Sequence, residues 1–264
     1  MPFAPGPRAC RRCCSRRFYT KGVLAAEPYG LLRRKEYMPQ EINTISLGGV
    51  NCYLIKTGDG SYVMVDTGFR MQRSSIEKEL EKAGCKPGNL KLIVITHGDS
   101  DHTGNAAYLR RKYAAKIALH PGESEVVESG NMSLSRNRQP FLSRMILSLF
   151  RLSKSDRFKS DVYVDDGDDL SAYGFDSKVL HIPGHSKGSI GILTAGSASS
   201  AGLGQVLFCG DMLVNTNKPA LNTLIDDPSA AHASFEKLKS LEIQTVYPGH
   251  GKPFLMEVLW EDRL

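Results

Sequence analysis

The sequence lacks long apolar runs and paired cysteines, and each absence excludes a class of protein. No stretch approaches the roughly 18 consecutive apolar residues of a membrane-spanning helix, so no transmembrane segment is expected. Cys10, Cys13 and Cys14 lie close together, but no second cysteine pair follows that would complete a zinc site. The other three cysteines are scattered, which is typical of buried thiols in a reducing compartment rather than of disulfides.

Acidic residues are absent from the chain before Glu27. Residues 1–21 form a basic leader with six Lys and Arg, and they lack the apolar core of a secretory signal. This composition resembles a mitochondrial presequence, which predicts mitochondrial localisation, whereas without such a presequence a cytoplasmic protein is expected. Pro2, Pro5 and Pro7 disfavour the amphipathic helix of a presequence, so a disordered basic tail stays the alternative.

The rest of the chain has no excess of positive charge. The formal net charge is +6, and the six basic residues of the leader account for all of it. Surfaces that bind nucleic acids generally carry a basic stripe, so a near-neutral remainder favours a small-molecule substrate over a nucleic acid.

Ionisable side chains are concentrated directly after one apolar run. Residues 91–95 are rich in β-branched residues and predict a buried strand, and His97, Asp99, Asp101 and His102 follow it at once. Burying so many polar groups is costly unless something satisfies them, and a metal cation does so most cheaply. His97 and Asp99 project to the same side of an extended backbone, whereas Asp101 and His102 can turn towards a second point. The spacing therefore predicts two metal ions rather than one.

Three later strand ends repeat this pattern of an apolar run, a glycine turn and one residue of metal-ligand type. The residues are His185, Asp211 and His250. Strand ends that converge on one edge are where α/β scaffolds build their sites, so these three residues are expected to join the same centre.

The complete set resembles the metallo-β-lactamase superfamily, whose usual first motif is H-x-H-x-D-H, followed by a His, a bridging Asp and a last His. The similarity covers roughly residues 42 to 252. It implies an α/β (α+β) fold, a four-layer αββα sandwich built from two similar halves. It also implies that Asp66 orients a metal-binding His without touching the metal. By position it assigns His97, Asp99 and His185 to one cation, Asp101, His102 and His250 to the other, and Asp211 as the bridge.

The sequence departs from the family pattern at Asp99, where the family normally has His. Carboxylate variants occur there in competence-type nuclease domains and in flavodiiron proteins, so a working site is still expected. A carboxylate is a harder ligand than an imidazole and suits Mn²⁺ or Fe better than Zn²⁺. The predicted cofactors are therefore two divalent metal ions, either Zn or, because of Asp99, Mn or Fe.

The chemistry that follows is that of a metal-dependent hydrolase, which attacks its substrate with a hydroxide held by a dinuclear metal centre. Asp101 could accept the proton of the attacking water and pass it to the leaving group. A small ester, thioester or lactone is the expected substrate. A phosphodiesterase or nuclease of the same fold is the alternative, because Asp99 matches the nuclease variant. A diiron oxidoreductase is less favoured, because the chain lacks a flavodoxin-like domain to supply electrons.

The length of 264 residues and the 41% apolar content suit one globular domain, which we place at residues 42–264 with a helical insert at about 123–159. Apolar residues recur at helical spacing over 141–152. This segment is interpreted as a cap over the site, as a membrane-surface or homodimer contact, or as an ordinary packed helix. His120 has no ligand role in the resemblance and is interpreted as structural or exposed.

Three other helices are predicted, over residues 74–83, 103–114 and 228–240. Thr103 is expected to cap the second, and Asp227 opens the third ahead of a proline.

Overall fold

Two mixed β-sheets form the centre of the protein. The computed structural model describes Met1, residues 41–135, Leu142, Met145 and residues 151–196 and 204–261. The first sheet has the strand order β1 to β6, with bounds Glu41–Leu47, Val50–Lys56, Tyr62–Val65, Leu90–Val94, Lys116–Leu119 and Val162–Tyr163. Strands β1 to β3 are antiparallel, and β3 to β6 are parallel.

The second sheet is formed by later strands of the chain. The bounds of β7 to β13 are Ser177–His181, Ile190–Ala195, Gln205–Gly210, Leu213–Val214, Ala220–Leu221, Ile243–Pro248 and Phe254–Leu255. The order in the second sheet is β13-β12-β9-β8-β7, and β10 pairs with β11 as a separate two-stranded ribbon. Strands β9 and β12 are parallel, so their carboxyl ends lie at the same edge.

Helices accompany both sheets. The bounds of α1 to α6 are Arg73–Lys82, Ser100–Thr103, Ala106–Tyr113, Ser124–Ser129, Pro228–Lys239 and Val258–Glu261. Asp227 caps α5, because its carboxylate accepts hydrogen bonds from the backbone N–H groups of Ser229 and Ala230. The prediction that a helix opens at Asp227 is confirmed.

Successive residues of the central strands face opposite sides of the first sheet, and this explains how helices and the second sheet pack on it. Met64 of β3 packs in one cluster with Ile76 of α1 and Leu109 of α3. Its neighbours Val63 and Val65 face the other side and pack in a second cluster with residues of the second sheet, such as Phe208. One face of the first sheet therefore carries helices and the other packs on the second sheet, which confirms the predicted α/β fold.

The predicted helix over residues 103–114 is wrong at its start. Thr103 lies inside the short helix α2, and its hydroxyl donates to the carbonyl of Asp99 at 2.8 Å rather than capping α3. The side chain of Asn105 donates to the carbonyls of Thr67 and Phe69, each at 2.8 Å. These contacts with the loop after β3 fix the backbone between α2 and α3, and a local sequence pattern does not contain them.

Two predicted segments fall largely outside the described residues. The basic leader, apart from Met1, and most of the 141–152 segment belong to this part of the chain. Leu142 and Met145 are helical and have relative exposures of 61% and 50%. The role of that segment stays a prediction. Within the described ranges, no helix has the length and hydropathy needed to cross a membrane.

Candidate metal centre

The seven predicted ligands come together at the ends of strands from both sheets. His97 and Asp99 follow β4, Asp101 and His102 lie in α2, and the later ligands follow β7, β9 and β12 as His185, Asp211 and His250. The backbone bends at residues 96–98 and enters α2 at Ser100, so Asp101 and His102 lie on a helix whereas His97 and Asp99 precede it. The structure thus brings together all the residues that the sequence selected, and their role as ligands stays a prediction.

Asp99 is the centre of the first group of three ligands. Its Oδ2 atom lies 3.5 Å from His97 Nε2 and 3.4 Å from His185 Nε2. One ligand atom from each of the three residues lies within 4.8 Å of the other two, which is compatible with binding one common cation.

Asp101 is the centre of the second group of three ligands, which also contains His102 and His250. Its Oδ2 atom lies 3.6 Å from His102 Nε2 and 3.4 Å from His250 Nε2. These three residues also offer atoms within 4.8 Å of one another.

Asp211 contacts both groups. Its Oδ1 lies 3.2 Å from His102 Nε2, and its Oδ2 lies 3.1 Å from His250 Nε2 and 3.8 Å from His185 Nε2. A carboxylate in this position can supply one oxygen to each of two neighbouring cations, as the sequence resemblance implies.

All four histidines present Nε2 to the centre because their Nδ1 atoms bind acceptors elsewhere. His185 Nδ1 lies 2.7 Å from the carbonyl oxygen of Leu224, and His250 Nδ1 lies 2.6 Å from that of Gly49. An Nδ1–H that donates to a carbonyl places the lone pair of a neutral imidazole on Nε2, which is the atom that a metal needs.

Asp66 fixes the other two histidines from outside the ligand set. Its Oδ2 lies 2.8 Å from His102 Nδ1 and accepts the hydroxyl proton of Thr96 at 2.8 Å. Because that hydroxyl donates to Asp66, its oxygen accepts from His97 Nδ1 at 3.0 Å. Asp66 itself has φ of 58°, an uncommon left-handed conformation for a residue other than glycine.

We therefore expect Asp66→Ala to weaken cation binding by about 10- to 100-fold, because outer partners of metal-binding histidines have effects of that size. A metal titration followed by calorimetry measures it. Asp59→Ala, which removes a carboxylate of a turn between β2 and β3, is the control and should bind cations as the wild type does. Equal affinities in all three proteins would show that Asp66 does not orient the histidines.

Several buried atoms of the centre have unsatisfied hydrogen-bonding capacity. Among the described residues, His97 Nε2, His102 Nε2 and Asp211 Oδ1 have no hydrogen-bond partner, although they are buried. The 3.2 Å contact between the last two atoms lacks hydrogen-bond geometry. Such atoms cost free energy unless something satisfies them, and imidazole nitrogens with carboxylate oxygens are a donor set that suits divalent transition metals. The residues therefore fit bound cations.

The carboxylates of the centre shift the pKa values of two histidines. Burial alone would lower the pKa of His102, but the negative charges of Asp211, Asp101 and Asp66 raise it well above its ordinary value. Burial likewise opposes protonation of His250, and its contacts with Asp101 and Asp211 raise its pKa to about 10. Protons and cations therefore compete for the same Nε2 atoms.

A second cluster of His120, Asp165 and His181 lies at the ends of β5, β6 and β7. The two imidazole rings stack with centroids 4.2 Å apart, and His120 Nε2 lies 3.3 Å from Asp165 Oδ1. His120 Nδ1 accepts a hydrogen bond from the N–H of Gly122, so the proton of its neutral ring is on Nε2. His120 thus has no lone pair left for a metal, unlike the four histidines of the main centre.

A cavity of about 440 Å³ adjoins the centre at Asp211 and His250. The rest of its lining comes from β10, β11 and the loops around them, including Asn217, Lys218 and Leu224. The cavity provides space beside the predicted ligands for a small molecule.

Sequence reasoning selected Asp66 but missed the other three groups that bind histidine Nδ1 atoms. Thr96 adjoins the motif and could have been found as a hydroxyl next to a ligand. The acceptors at Gly49 and Leu224 are backbone carbonyls, which any residue type supplies, so no sequence signal identifies them.

Comparison with known proteins agrees with this geometry. The family model described as the metallo-beta-lactamase superfamily matches residues 45–250. The hydroxyacylglutathione hydrolase GloC of Haemophilus influenzae is 29% identical over 171 residues, which are 64% of this chain and 72% of that protein. Metallo-beta-lactamase domain-containing protein 1 of Homo sapiens is 28% identical over 209 residues. The match covers 78% of this chain and 64% of the human protein, so this chain spans slightly less than two thirds of it.

Solved structures show the same architecture. The subclass B3 metallo-beta-lactamase BJP-1 of Bradyrhizobium japonicum superposes with a TM-score of 0.63 and 21% sequence identity, covering 81% of this chain and 76% of that chain. This likeness confirms the predicted four-layer sandwich. With the family match over residues 45–250, it follows that the chain belongs to the metallo-beta-lactamase superfamily and is a metallo-hydrolase.

Proposed function

We propose that the protein hydrolyses a small thioester, ester or lactone with two divalent cations held at the metal centre. The observation that carries this proposal is the convergence of seven ligand-type side chains in two groups of three, with Asp211 in contact with both groups. The four histidine Nε2 atoms face this centre through their contacts with its carboxylates.

When bound, divalent cations supply Lewis acidity, which lowers the pKa of water towards neutrality and polarises a substrate carbonyl oxygen. His97, Asp99 and His185 would hold one cation, and Asp101, His102 and His250 the other. Asp211 would bind both.

Asp101 is the residue of this set that we assign to proton transfer. Its side chain is 18% exposed, compared with 6% for Asp211, so it is the more accessible of the two carboxylates. Burial opposes its ionisation, but the neighbouring His102 and His250 lower its pKa, so it is ionised at neutral pH. An ionised carboxylate can accept the proton of the attacking water and return it to the leaving group.

The cavity beside the centre supports a small acyl substrate. Its volume of about 440 Å³ falls within the range of small-molecule sites. The exposed side chain of Leu224 and the neighbouring Leu221 offer apolar contact, while Asn217 and Lys218 offer polar contact. Because the relative from Haemophilus influenzae is named a hydroxyacylglutathione hydrolase, and a hydroxyacylglutathione is a thioester, we place thioesters first.

A substrate panel tests the proposal. Purified protein supplied with Zn²⁺, Mn²⁺ or Fe²⁺ is assayed with acyl thioesters, aryl esters, lactones, phosphodiesters and single-stranded DNA and RNA. We expect the highest kcat/KM on a carboxylic thioester or ester, and none of this turnover after chelation. Release of acid-soluble nucleotides with Mn²⁺, without turnover of any acyl substrate, would instead establish the nuclease alternative.

Asp99 leads to a prediction about the metal. Its carboxylate brings an additional negative charge to the first group, which favours Mn²⁺ or Fe²⁺ and offsets part of the charge that acidifies bound water. We therefore expect best activity with Mn²⁺, Fe²⁺ or a mixed pair, and an alkaline pH optimum. Asp99→His should move the preference towards Zn²⁺ and the optimum to lower pH.

Activity measured across metals after chelation decides this point. Zn²⁺ generally binds more tightly than Mn²⁺ at the same ligands, so best activity with Zn²⁺ is the competing expectation. If only Zn²⁺ restores turnover and Asp99→His changes neither property, the argument from ligand hardness is wrong.

A further inference from the structure

Glu123 is a fully buried carboxylate outside the predicted ligand set. It lies just before α4, in the turn that follows β5. Its Oε2 accepts a hydrogen bond from the backbone N–H of Gly98 at 3.0 Å. Its Oε1 accepts from the hydroxyl of Ser186 and from the N–H of Gly188, both at 2.8 Å.

These three donors belong to the two segments that carry the first group of ligands. Gly98 lies between His97 and Asp99, and Ser186 directly follows His185. The side chain of Glu123 therefore joins the loop after β4 to the loop after β7. These two strands belong to different sheets.

The surroundings of Glu123 are shaped to admit a carboxylate. A Cβ atom at Gly98 would lie 2.7 Å from Oε2, and one at Gly188 would lie 2.9 Å from Oε1. Only glycine at these positions lets both backbone N–H groups approach so closely. Ser186 also receives support, because its hydroxyl lies 2.7 Å from that of Ser189 and its N–H donates to the same Ser189 oxygen at 3.1 Å.

Glu123 makes no hydrogen bond to the groups that hold the histidines of the second group. His102 is held by Asp66, and His250 is held by the carbonyl of Gly49. None of the hydrogen bonds of Glu123 goes to α2, which carries His102, or to the loop after β12, which carries His250.

We infer that Glu123 is a positioning residue for one cation only. It holds the His97–Asp99 segment and His185 at the separation at which their three side chains share a cation, and it leaves the Asp101–His102–His250 group unaffected. This inference rests on the proposed function, because it takes the two groups as the binding sites of two cations.

Glu123→Gln tests this role with almost no change in size. A carboxamide has one acceptor oxygen and one NH₂ group, so either orientation places a donor against the N–H of Gly98 or against the donors from Ser186 and Gly188. We expect this variant to bind one cation about 10- to 100-fold more weakly, as for other residues that orient metal ligands, and the second cation with unchanged affinity.

The measurement is a calorimetric titration of the full chain with Mn²⁺ and with Zn²⁺ after chelation and dialysis. Glu125→Gln, an exposed acid two residues away, is the matched control and should bind both cations as the wild type does. Ser186→Ala removes a single donor and should reduce the affinity for the same cation to a smaller degree. This variant keeps the test available if Glu123→Gln folds poorly.

A double variant assigns the affected cation. His185→Ala removes a ligand of the first group, so adding Glu123→Gln to it should not further reduce the affinity for the remaining cation. If Glu123→Gln binds both cations with unchanged affinity, or with equally reduced affinity, the positioning role is overturned while the proposed function stands. A wild-type chain that binds no cation would overturn both.

Discussion

Asp211→Ala is expected to abolish turnover while the two sheets stay folded. Asp211 is the carboxylate that contacts both groups of ligands, through His102 and His250 on one side and His185 on the other. Without it, the centre loses one negative charge and the carboxylate that would bind both cations, so the Lewis acidity that bound metal would supply should be lost or reduced. Metal ions contribute several kcal/mol to transition-state stabilisation, and each 1.4 kcal/mol is about tenfold in rate. We therefore expect a loss of roughly a thousandfold or more in kcat.

Metal content and activity are measured on the same preparations of this variant. Metal per chain should fall below that of the wild type, whereas circular dichroism should show unchanged secondary structure. Asp211→Asn, which keeps the size and one acceptor oxygen but loses the charge, should retain more metal than Asp211→Ala. Full activity in Asp211→Ala would rule out the assignment of Asp211 as the bridge.

Asp101→Asn is expected to reduce kcat by about 10²- to 10⁴-fold, the usual contribution of a general base or acid. The amide cannot accept the proton of the attacking water, although its oxygen can still face His102 and His250. KM should change less than kcat, because the cavity beside the centre is lined by other residues such as Asn217 and Leu224.

The two possible roles of Asp101 are separated by added metal. If Asp101 transfers the proton, saturating cation leaves the loss in kcat in place. If saturating Mn²⁺ or Zn²⁺ restores the wild-type kcat, Asp101 serves only as a ligand, and the assignment as a catalytic residue is wrong.

Each candidate ligand follows a strongly patterned strand, which is why the sequence alone could select residues that the fold brings together. Residues 91–95 and the runs before Asp211 and His250 are apolar and end at glycine turns, so the ligand-type residues were already placed at one edge. Successive residues of a strand face opposite sides of the sheet, and Val63 and Met64 accordingly belong to different core clusters.

What the sequence could not predict depends on contacts between distant segments. The start of α3 differs from the prediction because Asn105 binds the loop after β3. No sequence signal distinguishes Glu123, and only the fold places it between Gly98 and Ser186. Val127 and Phe158, near the two ends of the predicted insert, belong to the core cluster of the first sheet.

The central claim is that the chain binds two divalent cations at this centre. The most direct test is a calorimetric titration of the chelated wild-type protein with Zn²⁺ and Mn²⁺, performed in two buffers of different ionisation enthalpy. The pKa of His102 is raised, and that of His250 is raised to about 10. In the absence of a cation, both rings are therefore positively charged at neutral pH, with a second proton on Nε2. Cation binding must displace these protons, so affinity should rise as the pH is raised and fall in acid. We predict two cations bound per chain with release of protons to the buffer; fewer than two cations, or binding whose heat is the same in both buffers, would contradict the account.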